Sequence, residues 1–453
     1  MRNNFVLVIV AATMLAGVNR AGAVPAFARK YKTACTTCHT VFPKLTPFGE
    51  QFLRNGYRFP GIDSDSVKAE PIALGTDEQK KAFPDAVWPA VLSSFPPLAF
   101  AFNGQAIFHP DKNSSLATAD NHAVVNLDTL IEEGHLWAAG SIDDSITYYS
   151  ELTAADGGLE LETAALFFND LVGPAHAVNL AVGRRIGTYT SFQNHGSYLA
   201  DMMITQVPVT GLYGATSDPF VFNDNHNGLE VNGVIERFDY SAGLAAGTNF
   251  DARNSANVYG HVGYKIGGAT LDGENTGGVP QDLEHEKAVT IDAFVYHATS
   301  RFTDASMMPV LTKDNSLTFG GAVRAQLAEL EFDAGVFYQT DDHVTSTAPT
   351  TTTVSQWNEL SYLVYPWLAV AARVEVLHVS QDVMQATDVR IVPGVAALIR
   401  PNLKLTLTAP LERASGAPDA GWGAAGLDAA PADLTSNISL EIESVQLQLW
   451  AAF

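Results

Sequence analysis

The sequence predicts an all-β chain, a transmembrane antiparallel β-barrel of about 16 strands with a small helical segment ahead of it. Three observations predict this. Apolar and polar residues alternate through most of the chain beyond residue 97, the last strand alternates up to a terminal Phe453, and an apolar leader opens the sequence. The composition agrees: 47% of residues are hydrophobic and 36 are glycine. No apolar run after the leader is long enough for a membrane helix.

The strands come from period-2 segments. Over Glu331 to Gln339, Phe332, Ala334, Val336 and Tyr338 share one face, with Glu331, Asp333 and Gln339 on the other. Lys404, Thr406 and Thr408 oppose Leu405, Leu407 and Ala409, and Arg373 and Glu375 oppose Ala372, Val374 and Val376. Similar segments fall near 123–132, 145–153, 158–170, 228–248, 255–266, 286–299, 316–326 and 354–364. Turn signals at Asp156-Gly157-Gly158, Asn227-Gly228 and Asp272-Gly273 separate them.

A soluble β-sandwich alternates too, so the period does not choose between water and lipid. The end of the chain does: Val445, Leu447, Leu449, Ala451 and Phe453 share a face opposite Ser444, Gln446 and Gln448, with Trp450 interrupting the polar side. Such an ending resembles the closing strand of bacterial outer-membrane barrels. The stretch from Gly187 to Asn227 has little sustained alternation. It reads equally as a constriction loop folded into the lumen and as an extracellular loop.

At the N-terminus, Arg2, the uncharged run Phe5 to Gly17 and Ala21-Gly22-Ala23 fit a cleaved export signal over residues 1–23, leaving Val24 as the first mature residue. The formal net charge of −23 argues against nucleic acid and anionic lipid surfaces as partners.

Residues 24–97 then carry the only two cysteines, in Cys35-Thr36-Thr37-Cys38-His39. This is the spacing for attaching a c-type haem: each thiol adds to one vinyl group, and His39 supplies an axial nitrogen. Cys35, Cys38 and His39 are therefore the expected binding residues of a single covalent haem c. Thr46 can cap a helix starting at Pro47, with Phe48, Phe52 and Leu53 as its apolar stripe and Gly56 ending it. A run of prolines from Pro60 to Pro97 reads as a connector with a short helix near Asp77 to Ala82.

So short a segment cannot bury a porphyrin alone. It also holds no second histidine and no methionine. A sixth iron ligand must come from the barrel side, with His109, His122, His135, Met202 and Met203 as candidates, or from Lys30, Lys44, the Val24 amine or water. His109, at the end of the first strand, is the leading distal candidate.

Pro25-Ala26-Phe27-Ala28-Arg29-Lys30-Tyr31, the Cys-x-x-Cys-His, Phe42-Pro43-Lys44-Leu45, Phe48-Gly49-Glu50 and Asn55-Gly56-Tyr57 together resemble the N-terminus of the fused monohaem cytochrome-porins of the bacterial outer membrane. The close match covers about residues 24–59. The resemblance implies a monohaem cytochrome c segment with its linker at 24–97 and a porin-like barrel at 98–453. It also implies electron transfer between an extracellular donor such as Fe(II) and a periplasmic cytochrome or other carrier. A solute porin with a structural or gating haem plug is the alternative expectation, and a haem peroxidase a further one.

Overall fold

The computed structural model describes residues 26–31, 33–58, 76–84, 98–109, 124–127, 130–142, 145–155, 158–191, 197–199, 225–246, 257–276, 286–303, 311–342, 350–381, 384–416, 441–442 and 444–452. The expected export signal, Val24, His122, Met202, Met203 and Phe453 lie outside the described residues.

One antiparallel sheet of 19 hydrogen-bonded segments closes on itself. Three pairs of segments are single strands interrupted by an irregularity, so the wall has 16 staves. These are β1 (Leu98–His109), β2 (Val124–Asn126 and Glu133–Ser141), β3 (Ile146–Ala155), β4 (Gly158–Phe168), β5 (Asn179–Ile186), β6 (Asn225–Ile235), β7 (Phe238–Ala245) and β8 (Asn257–Gly267). They continue as β9 (Lys287–Thr303), β10 (Leu311–Leu327), β11 (Leu330–Asp342), β12 (Thr351–Tyr365), β13 (Leu368–Gln381), β14 (Met384–Arg400), β15 (Leu403–Thr408 and Leu411–Gly416) and β16 (Glu441–Ile442 and Val445–Ala452). β16 pairs with β1, from Ala101↔Ala452 to Phe108↔Val445, which removes every free edge.

The two faces decide what surrounds the barrel. Ile291, Val295, Phe319, Phe332, Val336 and Leu360 point outward and are exposed, while Asp292, Arg324, Glu331, Asp333, Glu359 and Ser361 point inward and are buried. A water-soluble sandwich would bury the apolar face. A closed barrel with an apolar exterior and a polar interior is a transmembrane barrel of the bacterial outer membrane.

One turn expectation is corrected: Asn227 and Gly228 lie inside β6. The alternating segment near 228–248 holds two staves, joined at Glu236-Arg237. Glu236 takes a positive φ of 51°, a conformation its side chain does not advertise, and its N–H bonds Asp272 Oδ2 at 2.7 Å. The expected strand near 123–132 breaks after Asn126 and resumes at Glu133.

Short turns at Glu236-Arg237, Ala328-Glu329, Pro366-Trp367 and Pro401-Asn402 mark one end of the barrel, where β1 begins and β16 finishes. The long connections 110–123, 187–224 and 417–440 fall at the other. Short turns face the periplasm in such barrels. The N-terminal helices α1 (Ala26–Tyr31), α2 (Cys35–Cys38) and α3 (Pro47–Arg54) sit inside the lumen at that end, and α4 (Asp77–Ala82) is exposed.

Candidate functional site

The cysteine turn is built by local hydrogen bonds. Cys35 and Cys38 begin and end α2, and the His39 N–H closes it onto the Cys35 carbonyl at 2.9 Å. The chain then reverses, and His39 bridges Leu45 while the Thr46 N–H reaches the Cys38 carbonyl at 2.9 Å. Thr46 caps α3 as its sequence predicts, its Oγ1 accepting from the Gly49 N–H at 3.1 Å. A methyl group at Gly49 would overlap the Cys38 carbonyl oxygen, so glycine is what lets α3 lie directly on the cysteine turn. Gly56 ends the segment at a φ of 64°, and a side chain there would strike Asn169.

The barrel grips this segment from many sides. Glu50 pairs with Arg324, which also holds Glu331 at 2.6 Å, and Lys44 Nζ lies 2.7 Å from Glu331 Oε1. Arg54 pairs with Asp239 and donates to the Ser191 carbonyl at 2.6 Å, and Arg58 meets Asp170 at 2.7 Å. Gln51 donates to the Thr270 carbonyl at 2.7 Å. On the other side the contacts are aromatic: Phe42 stacks on Trp450 with centroids 4.0 Å apart, and Tyr57 stacks on Tyr149 at 5.3 Å.

Of the excursion after β5, residues 187–191 and 197–199 fold into the lumen, and residues 192–196 and 200–224 lie outside the described residues. Tyr189 is buried against Tyr259, Phe294 and Tyr296. Ser197 donates to Glu359 at 2.6 Å, and the Tyr198 hydroxyl lies 3.3 Å from Thr40 Oγ1. This segment therefore packs on the N-terminal plug from above.

Between plug and wall lies a cavity of about 590 Å³ lined by Cys35, Cys38 and His39. That volume falls within the roughly 300–1,000 Å³ usual for ligand sites. The barrel supplies Trp137, Tyr149, Phe167 and Trp450 to its walls. The donor set fits a c-type haem. Both thiols open on the same space, and His39 Nδ1 lies 3.2 Å from the Pro43 carbonyl. That contact places the ring proton on Nδ1 and the lone pair on Nε2, the usual outer-shell arrangement of a metal-binding histidine. A closed structural zinc site made only of Cys and His needs four such ligands, and the described residues lining the cavity offer three. A redox dithiol needs an acidic thiol, whereas burial pushes Cys35 up and, together with the nearby Cys35, pushes Cys38 up to about 12.

The structure does not bring His109 to this cavity. It is buried at the extracellular end of β1, ten residues beyond Ala99, the β1 residue lining the cavity, or roughly 33 Å along the strand. The leading distal candidate thus lies away from the space onto which Cys35, Cys38 and His39 open. His135 stacks on Trp137 at 5.7 Å but is held by Glu151 at 3.0 Å and Glu133 at 3.4 Å, outside the cavity lining. Lys30 bonds Ser141 Oγ at 3.0 Å, and Lys44 is ion-paired. Neither a second histidine nor a methionine lines the cavity among the described residues.

Among the lining residues not singled out as functional from sequence are Trp137, Lys404 and Arg185. Trp450 did leave a signal, since it breaks the polar face of the last strand; its indole is the platform for Phe42 and lies 5.9 Å from Trp137. Asp239, His261 and Asp292 form a buried acidic cluster, but Arg54 already pairs with it, so it serves as a socket for the plug.

No protein-family model matches the sequence, and neither does any curated protein. Among solved structures the chain is similar to OmpT from the outer membrane of Vibrio cholerae, with 10% identity, coverage of 79% of this chain and 97% of that one, and a TM-score of 0.49. It is similar to the anion-selective porin from Comamonas acidovorans, with 11% identity, coverage of 79% and 99%, and a TM-score of 0.49. Salmonella typhi OmpF, solved in complex with daunomycin, gives 9% identity, coverage of 79% and 96%, and a TM-score of 0.44. The chain's own staves and their two faces define it as an outer-membrane barrel of porin-like architecture.

Proposed function

We propose that this barrel is an outer-membrane c-type cytochrome, which holds one covalent haem at the periplasmic end of its lumen. It passes electrons between an extracellular donor such as Fe(II) and a periplasmic cytochrome or other carrier. The observation that carries the reading is the opening of Cys35, Cys38 and His39 onto a cavity that plug and barrel enclose together. Haem bound there supplies a one-electron iron couple. Cys35 and Cys38 hold it covalently, His39 offers Nε2, and Pro43 fixes the imidazole through Nδ1. Phe52, Phe167, Trp137 and Trp450 keep the site apolar, which favours the less charged state of a bound iron.

The plug is what favours electron over solute traffic. Its contacts run from Ser141 on β2, through Asp239, Arg324 and Ser361, to Trp450 on β16. A second reading is a solute porin in which the plug is a gate, and the segment carrying Tyr189 and Tyr198 inside the lumen favours it, because inward loops narrow pores. Purified protein in sealed vesicles separates the two. Electron carriage predicts reduction of an entrapped cytochrome by external Fe(II) with little ionic conductance. Steady conductance without electron transfer would establish the porin.

A further inference from the structure

Among the described residues, the buried cations of this lumen are paired, with one exception. Lys44, Arg58, Lys265, Arg324, Arg373 and Arg390 each face a carboxylate within 4.0 Å. Lys404 is only 3% exposed, yet no carboxylate and no hydrogen-bonding group contacts its ammonium among the described residues. It projects from the lumen face of β15, opposite Trp450 in the register, and lines the cavity of the cysteine turn. Its nearest partner of note is the Phe42 ring, with Nζ 6.0 Å from the centroid.

An aromatic face at that distance offsets about 0.5–2 kcal/mol. Burying an ammonium costs several kcal/mol. An anion in the cavity that Lys404 lines would offset the remainder. Arg185 and Arg54 also line it, but Arg185 is held by Glu230 at 2.6 Å and Arg54 by Asp239. Resting on the haem reading above, the anion has a ready source, since haem carries two propionate carboxylates.

We propose that Lys404 is the barrel's counter-ion for a haem propionate. The plug supplies the covalent anchors and the proximal nitrogen, and the wall supplies the charge partner. A haem attached to the plug would then be oriented by β15.

The test uses full-length protein from the outer membrane, as wild type, Lys404→Gln and Lys404→Arg. Resonance Raman follows the propionate bending band, potentiometry follows the midpoint potential, and haem staining of denatured protein follows attachment. Expected in Lys404→Gln are undiminished covalent haem, a shifted propionate band and a lowered potential, with both readouts returning toward wild type in Lys404→Arg. An unmoved propionate band in stained Lys404→Gln protein overturns the proposal while leaving the haem reading intact. A change of spin state in Lys404→Gln would assign Lys404 to the iron and also overturn it. Wild-type protein without covalent haem would remove both readings.

Discussion

The seam between plug and wall has two unlike sides. Toward β7, β10 and β11 it is made of ion pairs, Arg54 with Asp239 and the cluster of Glu50, Arg324, Glu331 and Lys44. Toward β16, β2, β3 and β4 it is made of rings, Phe42 on Trp450 and Tyr57 between Tyr149 and Phe167. The cavity is lined by the rings of the second side and extends to the Arg54–Asp239 pair of the first. Ion pairs are directional, and fix how the plug is turned in the lumen. Stacked rings tolerate small shifts but exclude water, which a redox site needs. The difference separates seating from insulation.

The largest effect should follow from breaking the charged side. Arg324→Met leaves Glu50 and Glu331 buried without their shared guanidinium, at a cost of about 3–5 kcal/mol. Urea titration of the folded barrel should show a correspondingly lower midpoint. On the aromatic side, Trp450→Ala removes the platform under Phe42 and should cost about 2 kcal/mol, less than a fully buried ring because the indole is half-buried. Its more telling consequence should be faster entry of imidazole or cyanide to the haem, which Arg324→Met should change less. Equal ligand entry in the two variants would erase the distinction between the sides.

Gly49→Ala places a methyl group against the Cys38 carbonyl and should cost about 1–3 kcal/mol. The helix α3 must shift from the cysteine turn, so the visible spectrum should broaden along with the loss of stability. The smallest effect concerns Asp170, at the periplasmic turn after β4. Burial acts to raise its pKa, but the Arg58 hydrogen bond and charge prevail and hold it below the usual carboxylate range. A depressed folded pKa contributes stability that is present above the unfolded value near 3.9 and is lost as pH falls through the folded value. Being a third exposed, this pair should contribute only about 0.2–1 kcal/mol. Asp170→Asn should remove that part of the acid dependence of plug release, measured by proteolysis of the N-terminal segment between neutral and acid pH.

Much of the wall was legible because a barrel repeats one rule. Glu331 to Gln339 shows both faces of β11 in a single window, and the lipid and lumen sides follow directly. The turn at Glu236-Arg237 was not legible, since a glutamate with positive φ carries no turn signature and is stabilised by Asp272, 36 residues away. The cysteine turn was legible as a covalent motif, and α3 as a capped helix. Its neighbours in space were not: Arg324, Asp239 and Lys404 reach the plug only once the closed sheet sets which staves face each other. The distance of His109 from the cavity was not legible either, because proximity in sequence to the start of the barrel says nothing about which end of the strand meets the cavity.

The proposed covalent haem on Cys35 and Cys38 is tested most directly by the visible spectrum and haem stain of the fully denatured chain, taken from outer membranes of cells able to mature c-type cytochromes. Expected is haem migrating with the wild-type polypeptide, diminished in Cys35→Ala and Cys38→Ala, and absent when both are replaced. A wild-type chain that enters the outer membrane but releases all its haem on denaturation, or presents two free thiols to an alkylating reagent, would contradict it.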